Sequence, residues 1–125
     1  MGLLFLSMIN HSEEIRISES SFDRKITMDA LRYIDTSYHD ASLTFFAGSR
    51  GLDVYTVSRI IKKQTGSTFK ALLEAKRMNQ AAFLLKNTSL TVEDIATGIG
   101  YENLSFFYRL FMKTFGKRPR EYRLS

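Results

Sequence analysis

At 125 residues, with 44% hydrophobic residues, 10 Phe and 6 Tyr, the chain has enough apolar material for one packed domain, which excludes a wholly disordered tail. Cysteine is absent, and with it a disulfide framework, a thiolate nucleophile and a cysteine zinc site. The net charge of +5 is unevenly placed: residues 1–40 carry 4 basic side chains against 7 acidic, and residues 41–125 carry 14 against 6. A basic block behind an acidic head suits a polyanion partner, either nucleic acid or an anionic membrane surface.

The apolar opening Met1–Ile9 lacks the basic lead of a secretory signal and falls short of the roughly 20 apolar residues of a membrane span. It reads as a helix end that packs on something. Residues 18–25 are polar and aperiodic and mark a boundary, which sets residues 1–25 apart from a domain over residues 26–125. Beyond it, Met28, Leu31, Ile34 and Tyr38 recur at helical spacing behind Thr27, a suitable cap. Leu43, Phe46 and Ala47 give a short helix after Ser42. Asp53 opens a third helix that turns Val57, Ile60 and Ile61 inward and stops at Gly66. Ser67 caps a long helix ending near Asn87, with Phe69, Leu72, Leu73, Met78, Ala81, Leu84 and Leu85 inside.

After Leu90–Thr91 the pattern restarts. Val92, Ile95 and Ala96 form a short helix, Gly98–Tyr101 a turn, and Asn103 opens a longer helix that stops at Gly116. Pro119 suits the first position of a final short helix. No segment alternates as a strand does. The expected fold is all-α: two helix-turn-helix units, about 43–66 and 91–116, joined by a linker helix over 67–87, about seven helices in all and homeodomain-like. The restart is an internal repeat. Arg59, Lys63 and Gly66 match Arg109, Lys113 and Gly116 at an offset of 50, while Leu43, Phe46 and Ala47 match Val92, Ile95 and Ala96 at 49.

In a helix-turn-helix unit the first helix braces the second, whose first two turns reach base edges in the major groove. The linker helix, about 30 Å long at ~1.5 Å per residue, is comparable with one turn of B-DNA, roughly 34 Å. Two reading helices on such a linker can enter successive major-groove segments. Arg59 and Arg109 suit paired hydrogen bonds to guanine or phosphate, against the alternative of salt bridges within the protein. Val54, Tyr55 and Ser58 line the first outward face, and Leu104, Ser105 and Tyr108 the second. Lys62, Lys63, Lys113 and Lys117 fit phosphate neighbours or ordinary solvated lysines. Asn103 completes the candidate interface, although it and Asp53 also have the side chains a helix cap requires. Phe106, Phe107, Phe111, Phe115, Tyr101 and Tyr122 are expected in the core, not as a stacking platform for single-stranded bases.

His11 and His39 lack metal-ligand spacing, and Glu93–Asp94 suits a helix dipole better than a catalytic dyad. With no phosphate-cradling glycine motif and no nucleophile elbow, the expectation is a non-enzyme without metal or cofactor. The competing reading is a helical protein-interaction or anionic-surface adaptor without specific DNA reading. A membrane-surface helix needs a basic/apolar split within one helix, and the basic residues here are spread over several.

Residues 27–123 resemble the DNA-binding domain of the AraC/XylS family. The resemblance rests on Ile95-Ala96, Gly100-Tyr101, Ser105-Phe106-Phe107 with Arg109 two positions on, Phe111, Gly116, Pro119 and Tyr122-Arg123. Ser58-Arg59, Lys62-Lys63, Thr65-Gly66, Arg77-Met78, Ala81 and Leu84-Leu85 extend it to the first unit and linker. Ile61, Thr56, Gly48 and Arg118 depart from the family pattern. The resemblance implies a cytoplasmic, bacterial-type transcription regulator bound to double-stranded promoter DNA, contacting RNA polymerase if it activates. It also implies a separate sensing and dimerising domain, of which residues 1–25 look like the tail or linker, and through which the protein forms a homodimer.

Overall fold

The computed structural model describes residues 21–125, and the expectations for Met1–Ile9 and His11 lie outside them. The described residues form only helices and connecting turns: α1 over residues 21–37, α2 Leu43–Ser49, α3 Val54–Thr65, α4 Phe69–Asn87, α5 Val92–Gly98, α6 Leu104–Phe115 and α7 Pro119–Leu124. No helix among them is long and apolar enough to cross a membrane.

Two cores share α4. The first gathers Ile26, Ala30 and Ile34 of α1, Phe46 and Ala47 of α2, Val57, Ile60 and Ile61 of α3, and Phe69 and Leu73 from the start of α4. The second takes Met78, Ala81 and Leu85 from the rest of α4, then Val92, Ile95, Ala96, Ile99, Tyr101, Phe107 and Phe111. Tyr38, just after α1, packs against both. Tyr33 anchors the first unit: its ring stacks on Phe45, Phe46 and Phe69, and its hydroxyl accepts the backbone N–H of Ser42 at 2.9 Å.

The repeat is carried into the structure. The 12-residue helices α3 and α6 start and stop at the same offset of 50, and the 7-residue helices α2 and α5 start at an offset of 49. Even the elements that follow correspond, since Phe69 and Pro119, both buried, open α4 and α7. Gly66 and Gly116 end the two longer helices in the left-handed conformation, at φ 79° and 71°, where a side chain would be strained.

Several local expectations are corrected. Thr27 does not cap α1 but lies buried inside it, because the helix is already wound at residue 21. The helix turns Ile26, Thr27, Ala30 and Ile34 inward, leaving Met28 at 55% and Leu31 at 38% exposure. Small Ala30 and Thr27 allow close approach to the core, so the bulkier apolar stripe faces out. At α4 the cap is Thr68, whose hydroxyl accepts the N–H of Ala71 at 3.0 Å. Ser67 lies one residue before the cap, and its N–H donates to the Thr65 hydroxyl at 3.1 Å. Leu72 and Leu84, expected inside, are only half-buried, while Ala82 joins the core face. Phe106, finally, is 37% exposed at the edge of α6 and not in the core.

Candidate nucleic-acid interface

α3 and α6 are built alike from their first residue. The Asp53 carboxylate accepts the N–H of Thr56 at 2.7 Å, and the Asn103 side-chain oxygen accepts that of Phe106 at 3.0 Å, each satisfying a donor that the first turn leaves free. That hydrogen bond from Thr56 holds the Asp53 carboxyl below its ordinary range, with a smaller contribution from the Arg59 guanidinium. The inner faces follow from apolar residues three and four apart: Val57, Ile60 and Ile61 in α3, Phe107 and Phe111 in α6. The opposite face of each helix is left to solvent.

On α3, Val54, Tyr55, Arg59, Lys62 and Lys63 are exposed and Ser58 is half-buried. Tyr55 stands out at 76% exposure in the first turn. On α6, Ser105, Arg109 and Lys113 are exposed, whereas Leu104 and Tyr108 are half-buried and pack against the second core. Tyr108 meets the Phe107 ring edge-on at 6.1 Å. Asn103 is exposed, but its oxygen is committed to the cap. The sequence-predicted residues therefore fall on two corresponding outer faces, with Leu104 and Tyr108 contributing an edge and not a full side chain.

Most of the positive charges on these faces have no partner among the described residues. No ion pair among the described residues involves Arg59, Lys62, Lys63, Arg109, Lys113 or Lys117. Lys62 alone has a partner, donating to the Gly66 carbonyl at 2.9 Å at the end of its own helix. Arg59 and Arg109 thus close no salt bridge among the described residues, although the Asp53 carboxylate lies near enough to Arg59 to feel its charge. Among the described residues there is no group of His, Cys, Asp and Glu that would hold a metal ion.

The start of α4 adds residues that the periodicity did not single out. Thr68, Lys70, Ala71 and Glu74 line one groove with Phe106, Arg109 and Lys113. Lys70 lies in a first helical turn that has no acidic residue, where the helix dipole disfavours a cation. That mismatch is the sequence signal that would have marked it. Met112, on the outer face of α6, was likewise missed.

Residues 46–125 match the family model described as a helix-turn-helix domain. The chain is 42% identical over 81 residues to the HTH-type transcriptional activator RhaR of Mannheimia succiniciproducens, an alignment covering 65% of this chain and 29% of that protein. The structure resembles the C-terminal domain of AraT, a response regulator from Geobacillus stearothermophilus, with TM-score 0.75 and 34% identity, over 79% of this chain and 84% of that one. The DNA-binding domain of AdpA, solved in complex with a target DNA, shares the fold at TM-score 0.68 and 22% identity, over 82% and 89% of the two chains. With paired helices, matching caps and these relatives, the chain belongs to the AraC-type family of helix-turn-helix proteins.

Proposed function

We propose that this chain binds double-stranded DNA sequence-specifically and is the DNA-reading part of a transcription regulator, with α3 and α6 entering successive major-groove segments. One observation carries the proposal: two helices of equal length, capped and stopped alike, present Arg59 and Arg109 at the same position, and among the described residues neither is in a salt bridge. The 19 residues of α4 span about 28 Å at ~1.5 Å each, within reach of the roughly 34 Å turn of B-DNA. Relatives named as transcriptional activators and a like-folded domain solved on its target DNA support the same reading.

In this proposal Arg59 and Arg109 contact guanine or phosphate. Val54, Tyr55, Ser58, Leu104, Ser105 and Tyr108 supply the remaining base-facing edges. Lys62 and Lys113 neutralise phosphates, and Asn103 fixes the start of α6 at the groove. Residues 26–125 form the reading module, and residues 1–25, whose last turn is already wound into α1, join it to a sensing and dimerising domain. RNA polymerase is the second partner if the protein activates, the compartment is the cytoplasm, and the chain performs no catalysis. Selection of bound sequences from a random duplex pool tests the proposal. A site with two preferred segments about one helical turn apart is expected, with affinity falling steeply as salt rises. Equal binding to every duplex, or none, would reject it.

A further inference from the structure

α4 joins the two units covalently, but a single helix shared by two small cores lets them rock about it. A second attachment between the units runs through a side chain of that helix. Arg77, in the middle of α4, donates from Nε to the Tyr38 carbonyl at 2.7 Å and from a terminal nitrogen to the His39 carbonyl at 3.1 Å, both in the corner between α1 and α2. Its guanidinium also lies 5.1 Å above the Tyr101 ring, which belongs to the second core. At the turn between α5 and α6, Gly100 adopts φ 111°, and a Cβ there would come within 2.4 Å of the His39 carbonyl oxygen and 2.8 Å of the Arg77 guanidinium. The corner of the first unit therefore rests directly on the turn of the second, with Arg77 wedged between them. One residue before Arg77, Lys76 pairs with Asp35 of α1 at 2.8 Å.

We infer that the junction of Arg77, the Tyr38 and His39 carbonyls and Gly100 fixes the angle and separation of α3 and α6, and so sets the spacing between the two DNA segments that the protein accepts. Arg77 is a positioning residue and touches no base. The inference rests on the two-segment reading above. Two modules on a stiff connection bind together only at the span the connection dictates, whereas a loose one tolerates several spans at lower affinity for the best. One inserted base pair moves a segment by about 3.4 Å and turns it by roughly 35°, beyond what a rigid pair can follow.

Two measurements separate this inference from the reading it rests on. The first needs no DNA. Because the chain lacks cysteine, exposed Gln64 and Thr114, at the ends of α3 and α6, can be replaced with cysteines for spin labels. The distance distribution should be narrow in the parent and broader in Arg77→Ala, or in Arg77→Met if the alanine variant does not fold. A broad distribution in the parent, or an unchanged one in a folded variant, overturns the inference. The second uses the selected duplex and derivatives with one base pair added or removed between its segments. The parent should lose about tenfold or more on either change and the Arg77 variants about threefold or less, with base preference inside each segment intact. Arg77→Lys, which reaches only one carbonyl, should fall between. Equal penalties in parent and folded variant overturn the inference, and a parent that binds no duplex rejects the DNA reading while the label distances still judge the junction.

Discussion

Arg109 is exposed on the outer face of α6, in its second turn, and forms no salt bridge among the described residues. Its neighbours differ in what they can offer. Leu104 and Tyr108 are held partly by the second core, so the guanidinium is the long, exposed donor on that stretch of helix. Arg109→Ala is expected to weaken binding to the selected duplex by about 1–3 kcal/mol and to relax preference at one base step. A uniform loss with unchanged preference, measured by repeating the selection, would assign the side chain to phosphate. On α3 the corresponding weight is shared, because Tyr55 protrudes beside Arg59. The charges and spacing that mark both arginines are plain in the amino-acid order. The protrusion of Tyr55 and the partial burial of Tyr108 are not, because they depend on how each helix is rolled against its core.

At the level of the element, α3 and α6 share a design, but only the cap of α3 titrates. The Asp53 cap accepts its hydrogen bond as a carboxylate, and its native value lies below the ordinary 3.8. The stabilisation is complete above that ordinary value and is lost as pH falls through the lower native one. Asn103 makes the same bond without titrating. Acidification below pH 3.8 should therefore loosen the first turn of α3 before that of α6. Amide exchange or chemical shifts of Thr56 and Phe106 followed with pH will show it, and Asp53→Asn should remove the difference. Synchronous loosening would show that the caps do not control those turns.

The short helices, both left-handed stops and the repeat were legible because caps, glycines and apolar spacing act within a few residues. α1 was not legible in the same way. The stripe of Met28, Leu31, Ile34 and Tyr38 satisfies helical period, yet the partner surface prefers the small face of Ile26, Thr27, Ala30 and Ile34. A helix shows from its sequence that it has an apolar side, but where two candidate sides overlap, the neighbour chooses. Phe106 is the same case in miniature: it has core spacing, yet it is left at the rim where α6 meets the start of α4.

For the whole molecule, the division of α4 between two cores decides how the units lose structure. Phe69 and Leu73 serve the first, Met78, Ala81 and Leu85 the second, so neither core can be dismantled without removing support from the other. Phe107 is fully buried, and Phe107→Ala should cost about 3–5 kcal/mol. The loss is expected in both units, with exchange protection of the Ile61 amide falling alongside that of Phe111. Protection retained at Ile61 would make the units thermodynamically independent.

The two supporting helices, α1 and α4, share a further property: neither ends in a glycine stop. The carbonyls beyond α1 are taken by Arg77, 39 residues after Tyr38. At the other helix, Arg123 of α7 donates to the Leu85 carbonyl, 38 residues back, and to those of Thr88 and Leu90. Beside local closures such as the Thr88 hydroxyl on the Leu84 carbonyl, each corner is thus braced by a side chain synthesised well after it. On the ribosome the α1 corner stays open until the middle of α4 has emerged, and the tail of α4 waits in turn for α7. The order of assembly is written as two deferred clasps, the earlier closing before the later exists.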